Sequence, residues 1–303
     1  MKPLPAFPAE VHRYVSAVFR MANRRTAEKI ARVPNCSEPS VDLTLIESLT
    51  QYTGPRVVAP GWAVRLDVHY LGGLRHFYRW EVADIGVLVF AKQRGSVVAK
   101  KVALLQSKRL YPNAGGVVEE TEEDYRIGFG NLLPGSPVLP SIALSHTFSF
   151  TPQCRYKALI VGDHQYKAIQ AYESNLKLPV HYLFYNPWRV PSAYHYPVTG
   201  RVKLGRRANG GCRVIPAQTL RAALAHQSSN YQPSFADMAG LVSRGATHAN
   251  GWRLEHFMAN LVMKCREGMP FESLEDENMF ALFNRRSGPI AAALAVTVEQ
   301  FRE

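Results

Sequence analysis

Several features are missing from this sequence, and each absence closes off a class of function. No apolar run reaches the ~18 residues that a membrane helix needs, so no membrane span or membrane partner is expected. The opening residues Met1-Lys2-Pro3-Leu4-Pro5 carry no apolar stretch of the signal-peptide kind. The 4 cysteines, Cys36, Cys154, Cys212 and Cys265, are far apart and form no CxxC pair. That argues against a zinc knuckle and for a reduced, cytoplasmic setting. GxSxG, phosphate-loop and dinucleotide fingerprints are absent, as are internal repeats and low-complexity tails. Acid is scarce too: 24 Asp and Glu stand against 36 Lys and Arg, a net charge of +12. Such an imbalance favours polyanionic partners, chiefly through phosphate contacts and counterion release.

What is present centres on residues 80–108. Two apolar runs, rich in β-branched and aliphatic residues, read as buried strands joined by a basic, glycine-containing turn at 91–96. Asp84, Gln106 and Lys108 interrupt them. A buried charge costs several kcal/mol unless it is paired, hydrogen-bonded or metal-bound, so these residues need a reason.

Upstream, residues 9–31 predict a helix with an apolar stripe and arginines around it. A second helix is expected over 39–51, with Leu43, Leu45, Ile46 and Leu49 as its buried face. Asp42 projects near the centre of that face and Glu38 lies one turn earlier. Either the acids offset the helix dipole, or they aim a carboxylate at the sheet below. Strands are expected at 57–60, 63–70, 76–82, 157–161 and 180–185, with a helix at 164–175. The acidic run at 119–124 reads as a solvated loop or a gate over a basic groove. Prolines and aromatics after residue 186 mark a boundary. Beyond it, 201–204 and 212–215 are expected to pair across a flexible basic loop, followed by helices at 216–226, 234–243 and 252–266 and a helical tail from 288. Arg206, Arg207, Arg213 and Lys101 are candidate phosphate contacts. Trp188, Tyr194 and Tyr196 suit either base stacking or ordinary packing.

On a strand, alternate residues share a face. Gln106 and Lys108 therefore neighbour each other, with Ser107 pointing away and Asp84 on the adjacent strand. Phosphodiester hydrolysis uses such a set. Asp84 and the Gln106 amide oxygen are ligands for a hard cation, and Lys108 offsets charge on phosphate oxygens. With glutamine in place of an acid, the set is one anion short. Asp42 or Glu38 would supply it; Glu81 falls on the opposite face unless a bulge intervenes.

Asp84 followed by Gln106-Ser107-Lys108, with an acid-bearing helix upstream, resembles the PD-(D/E)xK nuclease superfamily in its QxK, restriction-like variants. The chain departs from that pattern in having Ala83 before Asp84. The resemblance covers residues 39–108, with 157–185 compatible, and implies an α/β fold with a mixed central β-sheet flanked by helices. With the boundary after 186 this gives a nuclease-like core over 1–186, and the patterns beyond it read as a mainly helical C-terminal accessory region over 187–303, separate or packed on the same core. The resemblance also implies Mg2+ or Mn2+ held by Asp84, Gln106, Asp42 and Glu38, with Asp84, Gln106, Lys108 and Asp42 as catalytic residues. The partner would be DNA, with RNA left open, in defence against foreign DNA, and the chain would act as a homodimer or with a protein partner. Two other readings stay open: a catalytically inactive nucleic-acid-binding module, and a structural subunit in which Asp84 and Lys108 form a buried ion pair.

Overall fold

In the computed structural model, the residues described are 3–70, 83–114, 146–196, 198, 200–206, 208–241, 251–272 and 290–301. The expectations for 76–82, including Glu81, for the acidic run at 119–124 and for Arg207 lie outside them.

The apolar stripe of the first segment forms α1 (Ala9–Arg32), burying Val11, Val15, Val18, Phe19 and Ile30. After a short turn comes α2 (Glu38–Thr50), with a proline in its first turn. Its buried face is Val41, Leu45, Ser48 and Leu49. Leu43, expected inside, is 50% exposed, because the face is rotated toward position 41. The strands β1 (Arg56–Ala59), β2 (Trp62–Tyr70), β3 (Ala83–Gln93) and β4 (Ser96–Arg109) follow. Strand β4 is buried almost throughout, consistent with a central strand covered on both faces. Then come β5 (Asn113–Ala114), β6 (His146–Phe150), α3 (His164–Leu176), β7 (Val180–Tyr185), β8 (Ser192–Tyr196) and β9 (Cys212–Pro216). Last are α4 (Ala217–Leu224), β10 (Trp252–Arg253), β11 (Met269–Pro270) and β12 (Ile290–Gln300).

The principal sheet is mixed, in the order β1-β2-β12-β3-β4-β7-β9-β10, with β11 also pairing with β4; β5, β6 and β8 make a second sheet. Strands β3 and β4 are an antiparallel hairpin, whereas β4 and β7 run parallel. Parallel neighbours need a crossover, and α3 lies on it. Helices α1 and α2 pack on each other, and α2 also packs on β2 and β4. Both strands of the β4–β7 pair therefore end at the same edge, beside the start of α2.

Several expectations are corrected. Residues 157–161 form turns: Leu159 N–H donates to Tyr156 O at 2.9 Å, and Val161 N–H to Tyr231 O at 2.9 Å. The 212–215 segment pairs with β7 and β10, and 201–204 form no strand. Around 234–243 only a short 3-10 turn, Ala236–Met238, appears. There the Asp237 carboxylate accepts the Ser234 N–H at 2.7 Å, a local bond that competes with helix. Residues 252–266 enter through β10 before the helical segments Leu254–His256 and Phe257–Val262. The tail is strand β12, inserted between β2 and β3. Its alanines favour helix locally, but parallel bonds to β3 and antiparallel bonds to β2 override that preference. The C-terminal third thus shares the hydrophobic core of the first two.

The described residues 208–211 are held, contrary to the flexible loop expected over 205–211. Gly211 N–H donates to Pro187 O at 2.9 Å, and Asn209 Oδ1 accepts from Val190 N–H at 2.9 Å. A Cβ at Gly210 would lie 2.0 Å from Pro187 O, whereas one at Gly205 meets nothing within 4 Å. Gly210→Ala is expected to cost about 1–3 kcal/mol through backbone displacement. Gly205→Ala, measured in the same urea titration, should be close to neutral.

Candidate active site

Asp84 sits at the second residue of β3, where the ladder to β4 is ending: the last cross-strand pair is Ile85 with Leu105. Ala83 instead pairs with Ile290 of β12. The Asp84 carboxylate takes over as acceptor. Its Oδ2 receives the Ser107 N–H at 2.6 Å, the Ser107 hydroxyl at 2.8 Å and the Gln106 amide N–H at 2.5 Å.

Helix α2 delivers both of its acids to the same strand end. Asp42 Oδ2 lies 2.9 Å from Ser107 Oγ, and its Oδ1 accepts from the Tyr185 hydroxyl at 2.7 Å. Glu38 spans two residues of β4, with Oε1 3.3 Å from Lys108 Nζ and Oε2 accepting the Arg109 N–H at 2.7 Å. The Lys108–Glu38 pair is inside the protein, its side chains 3% and 15% exposed. Arg109 is fully buried, and its guanidinium donates to Cys36 O and Pro34 O in the α1–α2 turn. That clamp fixes where α2 begins, and so where Glu38 and Asp42 lie.

The parity expected for Ser107 is corrected. Leu105 and Ser107 share the face of β4 that looks toward α2, so Ser107 is the hub joining Asp42 to Asp84. Sequence reasoning also missed Tyr185, which ends the largely apolar run 180–185, and Arg109, which directly follows Lys108 at the end of the second central strand. The only signal for either was a polar group at the end of a run that should be wholly buried.

The protons of this cluster do not balance if every acid is ionised. Ser107 has one hydroxyl hydrogen and two carboxylate oxygens within reach. One must carry a proton or share a cation. Burial, then the charge of Asp84 and that of Glu38, push the Asp42 carboxyl well above its ordinary range. Burial raises Glu38 as well, against the pull of Lys108. A carboxyl with a raised folded-state pKa binds its proton more tightly folded than unfolded. Stability therefore falls as pH rises from the ordinary value of 3.8 toward the folded one. The stability of wild type relative to Asp42→Asn should decline as pH rises above the ordinary carboxylate value of 3.8 in metal-free buffer. Thermal melts of the two proteins at rising pH test this; a constant difference contradicts it.

The donor set fits a hard divalent cation. It consists of three carboxylates and the Gln106 Oε1 atom, which is buried without a hydrogen-bond partner. Among the described residues, however, no three His, Cys, Asp or Glu side chains are grouped tightly enough to hold a metal by themselves. The amide oxygen would have to take part. Glu38, Asp42 and Asp84 are only partly buried, so the cluster keeps contact with solvent.

Two candidate phosphate contacts are placed elsewhere. Lys101 is 1% exposed and its Nζ donates to Val262 O at 3.1 Å. Arg213 is 2% exposed, with Nε donating to Gly210 O at 2.9 Å. Both satisfy backbone carbonyls inside the protein and offer nothing to a polyanion. Arg206 is exposed. A groove of about 900 Å3 between α3 and α4 shares no residue with the carboxylate cluster. None of the described helices is long and apolar enough to cross a membrane. Comparison with protein-family models, with curated proteins and with solved structures yields no match for this chain.

Proposed function

We propose that this chain is a metal-dependent endonuclease that hydrolyses phosphodiester bonds of DNA, with a role in defence against foreign DNA. One observation carries the reading: Asp84, Gln106 and Lys108 of the β3–β4 hairpin meet Glu38 and Asp42 of α2 at one end of a mixed sheet. Asp84, Asp42 and Gln106 Oε1 would hold Mg2+ or Mn2+, with Glu38 as the further carboxylate. When bound, such an ion polarises the phosphoryl group and lowers the pKa of a coordinated water. Tyr185 fixes one oxygen of Asp42, which leaves the other facing Ser107 and Asp84. Lys108, held by Glu38, brings a positive charge to where phosphate oxygens gain negative charge. The Ser107 hydroxyl lies between the two aspartates, and a bound cation would take the place of the proton that one of them otherwise carries.

A second reading has its own observation. Every carboxylate of the cluster already has protein donors, as a purely structural polar network would require. Incubation of the protein with linear, circular and single-stranded DNA and with RNA, each with Mg2+, Mn2+ or EDTA, separates the two. The enzymatic reading expects products only with a divalent ion. A lack of products in every tube favours the structural network.

A further inference from the structure

We infer that a basic rim beside the carboxylate cluster, made by α1, the turn after β7 and the described residues 201–206 and 208–211, binds the sugar-phosphate backbone of a nucleic acid. The inference deepens the functional reading above, resting on its assignment of a nucleic-acid substrate.

The rim comes from two acid-free segments. Between Glu10 and Glu28 the sequence has Arg13, Arg20, Arg24 and Arg25 but no Asp or Glu. Between Glu173 and Asp237 it again has none, while Arg189, Arg201, Lys203 and Arg206 are all exposed. The fold joins these segments at one indole. Arg24 lies over the Trp188 ring, 5.2 Å from its centroid, and Trp188 Nε1–H donates to Gly205 O at 2.7 Å. Trp188 itself is 8% exposed, so it anchors the rim rather than stacking on bases. Arg24 and Arg189 therefore flank the loop that carries Arg206. Arg13 and Arg25 are excluded from the set because Glu10 and Glu28 pair with them.

Two properties make this rim more than a solvated charged face. It is pre-organised: Asn209 and the close approach of Gly210 and Gly211 to Pro187 and Asn23 hold the loop on the turn after β7. Less ordering is then lost when a polymer binds. It is also next to the chemistry. Tyr185 donates to Asp42, and Trp188 follows three residues later, at most ~11 Å along the backbone. Arginine predominates over lysine here, which suits bidentate phosphate contact.

The test is binding in EDTA, where no cleavage occurs. The full chain carrying Arg189→Gln, Arg201→Gln and Arg206→Gln is compared with Arg13→Gln, Lys92→Gln and Arg94→Gln. The second set removes the same charge near the start of α1 and at the far tip of the β3–β4 hairpin. Anisotropy of labelled duplex DNA, single-stranded DNA and RNA is followed across a salt series. For the polymer bound best, the rim variant should bind roughly 10- to 100-fold more weakly at 0.1 M salt, and the slope of log K against log salt should shrink by about 2 to 3. The control variant should stay within roughly 3-fold of wild type, and melting curves should confirm that both variants are folded. Equal losses in the two variants, or none in the rim variant, overturn the proposal. Cleavage with Mg2+ is scored separately: absent cleavage with rim-dependent binding sinks the enzymatic reading alone, and cleavage with rim-independent binding sinks the rim alone.

Discussion

Asp84→Asn is expected to lower Mg2+-dependent cleavage by about three orders of magnitude while leaving the chain folded. Asn keeps a carbonyl oxygen for the Ser107 N–H but removes the anion that a divalent cation needs. Asp84→Ala should be as inactive and also less stable. It strands the Ser107 and Gln106 donors, at about 1–3 kcal/mol for each group left unsatisfied. The two substitutions together separate a catalytic from a structural role. Rates of product formation and urea titrations are needed for each. Near wild-type cleavage by Asp84→Asn would falsify the assignment of Asp84 as a ligand. Loss of the amide-to-alanine difference in stability would show that the hydrogen bonds at the end of β3 contribute little.

Arg109→Met is expected to destabilise the chain by about 3–5 kcal/mol. The side chain is 0% exposed and its two terminal nitrogens serve the carbonyls of Pro34 and Cys36. Methionine fills much of the volume but leaves both carbonyls without a donor. It also loses the contact over the Tyr111 ring, at 4.8 Å. Lysine retains the charge but cannot span two carbonyls with a planar fork, so Arg109→Lys should recover only part of the loss. Because the clamp fixes the start of α2, both variants should also weaken binding of a divalent ion. Chemical denaturation with and without Mg2+ measures both effects. A cost below about 1 kcal/mol for Arg109→Met would mean that the α1–α2 turn holds its place without the guanidinium.

Much of the local architecture was legible from periodicity. The stripe at 9–31 and the proline-led segment after residue 37 became α1 and α2 within a residue or so. The apolar runs around Asp84 and Gln106 became the central hairpin. Polar residues inside those runs were a sound pointer to the unusual part of the molecule, because an unpartnered buried charge is too costly to be incidental. Two kinds of expectation failed. The alanine-rich tail reads as helix in isolation, yet its bonding partners lie some 200 residues earlier, where β2 and β3 leave a gap that only a strand fills. Lys101 and Arg213 read as surface cations, yet each reaches a buried carbonyl supplied by a distant segment or a held loop.

By itself, then, the sequence determined which segments are helix and strand near the hairpin, which polar groups they carry into the interior, and a basic excess. Which groups meet was decided only by the tertiary structure. Strand parity assigned Ser107 to the outside, but the end of the β3–β4 ladder leaves its N–H free for Asp84. The clamp of Arg109 on the α1–α2 turn then brings Asp42 onto its hydroxyl. A periodic pattern fixes the face of an element, whereas a hydrogen bond depends on positions within a few tenths of an ångström between elements distant in the chain. That precision comes from packing of the whole core, and it is what joins Glu38, Asp42 and Asp84 into one cluster.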